Sequence, residues 1–361
     1  TECLVTSDEL NRKDLREDLL DIGNSLVLAG SKTRAKIHIH TNEPAQVFDI
    51  CRKYGEVKDQ KTDDMRIQQE SAKGEQSQKI AIVTDSGADL PPSAENLNIH
   101  VVPVRYHFGN TGYIDKVSQT TEEFYSELKT NPIHPQTSQP TPGDFRRQYQ
   151  FLSTHYKSVI SIHLPQKLSG TLQSAQNAAT RVPESSTSII DSLNASVGQG
   201  LLVQYAAELA ERDYSHDDII KNIEKMIPKT KVYLAVFDLT YPVRGGRLKS
   251  SIKVVADFLR IRPVLTTDSE GKIDKAGKLL GLKNIDKKFA KFIKKKLDPT
   301  KQYRISIGHC HNESGGQKVV DLLADLPNVK SSCLIGMGCA LGVHAGPMSL
   351  SAGIQEYPEF D

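Results

Sequence analysis

No stretch of this chain stays apolar long enough to cross a bilayer, and the sequence as it stands shows no signal-peptide pattern. A strong net charge is missing too. The 46 Lys and Arg against 44 Asp and Glu leave +2, which singles out neither nucleic acid nor an anionic membrane as partner. The five cysteines (Cys3, Cys51, Cys310, Cys333 and Cys339) include no C-x-x-C pair; an odd, scattered set is expected of a reducing cytoplasm rather than of a disulfide framework. There is no G-x-x-x-x-G-K-[ST] and no G-x-G-x-x-G after a strand. Those absences exclude the familiar phosphate-cradling loops, so this stretch of chain alone is not expected to catalyse phosphoryl transfer. Internal repeats and low-complexity tracts are absent as well.

What is present is a chain of 361 residues with 38% hydrophobic and 25% charged residues, enough for two or three domains with proper cores. The most informative stretch is SVISIHLPQKLSGTLQSAQNAATR, residues 158–181. Residues 159–164 read as a buried strand ended by Pro165, and residues 172–179 as a helix. Ser169 or Thr171 is placed to cap that helix, and Gly170 allows an unusual backbone angle. A strand, a small-residue turn and a helix leave backbone N–H groups at the helix start, where anions bind; an ordinary capped helix is the alternative. A second turn of the same kind, QTSQPTPGDF, spans residues 136–145. Residues 137–139 are extended before Pro140, Thr141 caps a helix, Pro142 opens it and Asp144 completes a capping box. If the two turns follow neighbouring parallel strands, Thr137, Ser138, Ser169 and Thr171 face one cleft. Lys167 is the one basic residue at either turn. Neutral donors suit a single carboxylate better than a polyphosphate.

In chain order, residues 1 to about 67 form a first unit, with a helix over 8–20, a strand over 35–39 and a helix over 44–54 ended by Gly55. His38 and His40 fall on one strand face, where they could ligate zinc if Cys3 supplied a third ligand; a half-exposed strand face is the alternative. Residues 69–78, QESAKGEQSQ, hold no large apolar side chain and read as a polar linker. Residues 79–84 are a strand running into Asp85-Ser86-Gly87-Ala88-Asp89, a site edge or simply a capped loop. Strands over 100–108 and 186–191 and helices over 121–129 and 201–212 then predict a mostly parallel sheet with helices on both faces. A second lobe begins near Pro228. It holds a strand over 232–237, the turn Gly245-Gly246-Arg247 (an anion clamp or a surface turn), a hairpin over 262–275, a basic helix over 286–296 with a solvated face, and strands over 304–309 and 332–335. His344, just before Ala345-Gly346-Pro347, sits in a fixed loop and is the second lobe's best site donor.

Two resemblances follow from these motifs. "LREDLLDIGNSLVLAG", "KIHIHTNEPAQVFDICRKYGEV" and "DDMRIQQE" resemble the region downstream of the kinase domain in dihydroxyacetone-kinase-like proteins, the group that includes bacterial fatty-acid kinases. Asn24 stands where that family more often has Asp. The resemblance implies a nucleotide-binding domain upstream of Thr1. "VTDSGADLP", "TSQPTPGDF", "LSGTLQSA", "IDSLNASVGQG", "RGGRLK" and "GVHAGP" occur in the order and spacing of the DegV family, two-lobed α/β lipid binders that hold one long-chain fatty acid between the lobes. This second resemblance implies that Thr137, Ser138, Ser169 and His344 hold the carboxylate and that Gly170 and Thr171 shape the turn. Asp85, Ser86 and Arg247, from the turns read above, are expected at a pocket or partner edge. Met348 and Ser349 stand where the family often has glycine and a small residue.

The resulting expectation is an accessory α+β domain over 1–68, a linker over 69–78 and DegV lobes over 79–228 and 229–361. The chain would bind a long-chain fatty acid and present it to a kinase domain in the same parent chain or in trans, in the cytoplasm, without nucleic acid or a membrane span. A homo-oligomer is left open. The alternatives are a serine hydrolase using Ser169 and His344, and a small-anion binder, which the shortage of basic residues disfavours.

Overall fold

The computed structural model describes residues 1–62, 80–250, 254, 261–281 and 283–360; the polar linker read over 69–78 lies outside them. From the amino terminus the elements run β1 (Glu2–Thr6), α1 (Arg12–Leu20), β2 (Asn24–Gly30), β3 (Arg34–His40), α2 (Pro44–Tyr54) and β4 (Glu56–Lys61). Next come β5 (Ile80–Asp85), β6 (Ile99–Val102), β7 (Arg105–Phe108), β8 (Thr111–Ile114), α3 (Thr121–Thr130), β9 (Gln136–Ser138), α4 (Pro142–Ser153), β10 (Ser158–His163), α5 (Thr171–Ala179), β11 (Thr187–Asp191) and α6 (Ser196–Glu211). The chain continues through α7 (His216–Met226), β12 (Thr230–Ala235), α8 (Thr240–Arg244), β13 (Ile261–Thr267), β14 (Ile273–Leu280), α9 (Ile285–Lys294), β15 (Tyr303–His309), α10 (Glu313–Ala324), β16 (Val329–Gly336), α11 (Cys339–Ala345) and β17 (Leu350–Glu356). No helix among the described residues is long and apolar enough to cross a membrane.

These elements pack into two units. One combines Thr1–Gln69 with Arg105–Ser138; the other combines Glu70–Val104 with Gln139–Asp361. In the first, a sheet of order β2-β3-β1-β4 buries alternate residues, Cys3 and Val5 on β1 and Ala35, Ile37 and Ile39 on β3, against Leu15 and Leu19 of α1 and Val47, Phe48 and Cys51 of α2. Period-two burial on the strands and helical spacing on α1 and α2 give the small α+β domain that the sequence led us to expect. A separate three-stranded antiparallel sheet, β8-β7-β9, belongs to the same unit.

The second unit has two sheets. Strands β11-β10-β5-β6 are all parallel, and every residue of IAIVTD (β5) and SVISIH (β10) is buried, as in a sheet covered on both faces. The other sheet has order β14-β13-β12-β17-β15-β16, and only β15 and β16 run parallel. Helix α6 packs on β5 of the first sheet and on β12, β15 and β17 of the second. Ser196 to Ala207 are all buried, so its first three turns have no solvent face. Arg304 of β15 anchors it. Its Nη1 donates to both carboxylate oxygens of Glu208 at 2.9 Å and its Nε donates to Gln355 Oε1 at 2.5 Å.

Three expectations shift. The strand read over 100–108 is two strands, broken at Pro103, which has no N–H for a ladder; β6 stays in the parallel sheet and β7 leaves for the three-stranded one. Residues 136–138 form a strand, but it pairs antiparallel to β7 instead of extending the parallel sheet. The helix read from 201 begins at Ser196, because the small residues of SVGQG are its tight first turn rather than a loop.

That first turn generates a prediction. A Cβ on Gly200 would lie 2.1 Å from the Asp89 carbonyl oxygen, a backbone atom with no freedom to yield. In an open helix Gly→Ala stabilises by about 1 kcal/mol. Here Gly200→Ala should destabilise by about 2 kcal/mol or more, read from the urea midpoint. A stabilised variant would show that the seam is looser than described.

Candidate functional site

The turn after β5 is built around Asp85, which is completely buried. Its Oδ1 accepts the Gly87 N–H at 2.9 Å, and its Oδ2 accepts the Leu164 N–H at 3.0 Å and the Gln199 amide at 3.3 Å. The same Oδ2 lies 2.9 Å from Nδ1 of His163; Nε2 of that ring is 2.7 Å from Ser161 Oγ, which in turn is 2.9 Å from the Tyr149 hydroxyl. This Asp–His–Ser–Tyr chain is sealed: none of its members is exposed. Burial also pushes the Tyr149 phenol above its ordinary pKa. Ser86 is buried too, and its Oγ accepts the Val104 N–H at 3.0 Å. Asp85 and Ser86 therefore present no surface to a protein partner; they lock the strand ends from which the site loops leave.

Sequence reasoning missed Ser161, His163 and Tyr149. The available signal was two polar residues two apart in an otherwise apolar strand, hence on one face. It named Asp89 only as part of the turn after the strand; its Oδ2 accepts from Ser196 Oγ at 2.8 Å and its Oδ1 accepts the Gly338 N–H at 3.0 Å. Asp89 thereby fastens the start of α6 and the start of α11 to one turn.

The Ser169 turn follows β10. Gln166 N–H donates to Asp191 Oδ2 at 3.0 Å, and the Ser169 N–H donates to the Pro165 carbonyl at 3.0 Å. The N-cap of α5 is Gly170, with φ −76°, an ordinary value. The close neighbour is a side chain: a Cβ would lie 2.3 Å from Oε1 of Gln139, the tip of an exposed and flexible residue. Neither Ser169 nor Thr171 is the cap residue. Ser169 Oγ is 2.8 Å from Thr171 Oγ1 and accepts the Thr171 N–H at 3.3 Å, so the two hydroxyls form a pair over the helix start. Thr171 is buried and Ser169 half-buried. The first N–H groups of a helix have no carbonyl partner inside it, and here they sit beside two hydroxyls.

Thr137 and Ser138 lie on β9 of the first unit, opposite Tyr106 and Arg105 of β7, whereas Ser169, Gly170, Thr171 and His344 belong to the second. Within the second unit, Gln139 meets Gly170 of the LSGT turn. His344 lies on α11, and its ring packs on the Gly-Gly-Arg turn: a Cβ on Gly245 would lie 2.2 Å from Nδ1. Arg247 folds back over the same turn, donating from Nη1 to the Gly245 carbonyl at 2.7 Å. Partial burial lowers its pKa from the ordinary value. RGGRLK and GVHAGP are thus one local structure.

The zinc expectation fails on geometry. His38 and His40 do share a face, with ring centroids 5.1 Å apart, and His38 Nδ1 is 3.0 Å from Glu2 Oε1. Cys3, however, stands opposite Ile37 on the other face, buried with its sulfur 3.8 Å from that of Cys51. That contact with Cys3, and burial after it, raise the Cys51 pKa, which keeps the thiol protonated. Among the described residues, no three His, Cys, Asp or Glu side chains are grouped to hold a metal.

Comparison with known proteins fits this arrangement. The family model described as an uncharacterised protein of the DegV family matches residues 79–356. The chain belongs to the DegV family. Residues 1–72 match a second family, the middle domain of FakA-like fatty acid kinase proteins. Protein DegV of Bacillus subtilis is 31% identical over 274 residues, covering 75% of this chain and 97% of that protein. A DegV domain-containing protein of Caldanaerobacter subterraneus is 29% identical over 280 residues, covering 77% and 99%. Among solved structures, a DegV family protein of Thermus thermophilus described as fatty acid binding superposes with TM-score 0.70 at 29% identity, covering 77% of this chain and all of that one. DegV of Bacillus subtilis, described as a fatty acid binding protein, superposes with TM-score 0.69 at 30% identity, covering 78% and 100%.

One departure from the DegV pattern acquires a structural meaning. Met348, where the family often has glycine, has φ +68° and is 45% exposed. A left-handed backbone costs an L-residue about 1–2 kcal/mol, part of which glycine returns as unfolded-state entropy. Met348→Gly should therefore raise stability by about 0.5–1 kcal/mol, seen as a higher Tm. A lower Tm would mean that the thioether makes contacts worth more than the strain.

Proposed function

We propose that the DegV portion binds one long-chain fatty acid, holds its carboxylate with Ser169 and His344, and presents it to a kinase domain for conversion to an acyl phosphate. The observation that carries this reading is the neutral hydroxyl pair of Ser169 and Thr171 over the start of α5, in a chain whose DegV relatives in Thermus thermophilus and Bacillus subtilis are described as fatty acid binding. The match of residues 1–72 to the middle domain of a fatty acid kinase protein supports the kinase as partner.

The energetics agree. Burying about fourteen methylenes at ~0.8 kcal/mol each yields a gross ~11 kcal/mol. Association and ordering costs then leave an affinity of micromolar to nanomolar order. The apolar chain supplies the affinity, and the headgroup donors need only orient one negative charge. Hydroxyls and helix N–H groups suffice for that.

The hydrolase reading is not favoured. The Ser169 hydroxyl is paired with Thr171, and the serines that do meet a histidine are others: Ser161, sealed in the sheet with His163, and Ser158 and Ser188, both on His216. The experiment is fatty-acid titration of single variants. Loss of one charge-assisted hydrogen bond costs about 1.5–3 kcal/mol. Ser169→Ala and His344→Ala should each weaken binding about ten- to a hundredfold, with coupling between them in the double variant. Unchanged affinity, together with an esterase activity that disappears in Ser169→Ala, would overturn the proposal.

A further inference from the structure

By family, residues 1–72 are kinase middle domain and residues 79–356 are DegV. By packing, Arg105–Ser138 sits with the middle domain. We infer that this DegV-derived segment is the docking element recognised by the middle domain of a fatty-acid-kinase-type partner, and that the contact holds without the covalent link between the two sequences.

Four observations carry the inference. The side chain of Gln60 on β4 is buried and fully used by the segment, its Nε2 donating to the Gly112 carbonyl at 2.6 Å and its Oε1 accepting from Ser118 Oγ at 2.7 Å. Ser118 Oγ also accepts the Ile114 N–H at 2.8 Å, so Gln60 completes a turn of the segment. The Arg52 guanidinium of α2 lies 4.4 Å from the centroid of the Tyr113 ring. Its Nη1 is held by Asp49 at 2.5 Å, while its Nε and Nη2 are buried without a hydrogen-bond partner; the aromatic face is what that cation has in their place. Tyr113 in turn stacks on Tyr106, centroids 5.2 Å apart, within a buried group that includes Phe108 and Phe124. Finally, Ile114 enters the core of the middle domain beside Val47, Phe48 and Val57. An apolar anchor, a stacked arginine and a satisfied buried amide are the parts of a specific interface.

The same element carries two residues that the sequence offered as carboxylate donors. Tyr106 on β7 stands opposite Thr137, and Arg105 opposite Ser138, so the strand bearing them belongs to the sheet that the middle domain grips. The inference concerns this surface and stands whether or not the ligand is a fatty acid.

The test uses the full chain with a protease site placed within residues 69–78. After complete cleavage, the two fragments should co-elute in gel filtration at micromolar concentration. The double variant Arg52→Ala/Gln60→Ala should weaken their association at least about a hundredfold, since it removes the cation–π contact and strands the Gly112 carbonyl and Ser118 hydroxyl. Should that variant lower the Tm of the uncut protein, Arg52→Met, which keeps the bulk of the side chain, is expected to weaken association about tenfold. Fragments that separate on cleavage would overturn the inference. So would fragments that stay together with undiminished affinity in the variants.

Discussion

The second unit depends on how closely helix α6 approaches the backbones around it. A helix whose first turns are buried on every side between two sheets needs small residues where it crosses other main chain, and SVGQG supplies them. Side-chain atoms at Gly200 would strike the Asp89 carbonyl, and at Gly353 of β17 they would strike the backbone of Val197. The close approach brings Asp89 within reach of Ser196 and of the Gly338 N–H. One carboxylate thus joins the turn after β5 to the first turns of α6 and α11. His344 is carried on α11, so a proposed headgroup donor in the mixed-sheet part is placed by an acid in the parallel-sheet part.

The electrostatics of the site follow from where charge is kept. Asp85 meets Gly87, Leu164, Gln199 and His163, so its oxygens are turned to protein groups inside the fold rather than to a ligand. The Ser169–Thr171 pair and the start of α5 are neutral. A carboxylate bound there, as proposed, would be stabilised by dipoles and hydrogen bonds already in place, an arrangement suited to one charge rather than to a polyphosphate. That choice of donors suits a ligand whose affinity resides in its tail.

Much of this was legible in the sequence, for identifiable reasons. The parallel strands announced themselves as buried β-branched runs, and Thr141, Pro142 and Asp144 form the capping box their spacing implies. The β13–β14 hairpin follows from its Asp268–Gly271 turn. Less legible were features set by long-range packing. Pro103 signals a break in a strand, but not that the chain then crosses to another sheet. Gly170 looks like a conformational glycine until Gln139, thirty-one positions away in sequence, is found against it. Cys3 looked available to His38 and His40 because strand register, which decides the face, cannot be read from one strand alone. The Asp85–His163 contact joins residues seventy-eight apart, and nothing local marks it beyond two polar side chains in an apolar strand.

The central claim is that this chain holds a long-chain carboxylate. It is tested most directly by native mass spectrometry of the purified protein, followed by extraction of what it carries. The account predicts one added mass per chain, released on denaturation and identified as a long-chain fatty acid, with the stripped protein rebinding one equivalent. A protein that emerges empty and, once offered free fatty acids of varied length, binds none of them would contradict it.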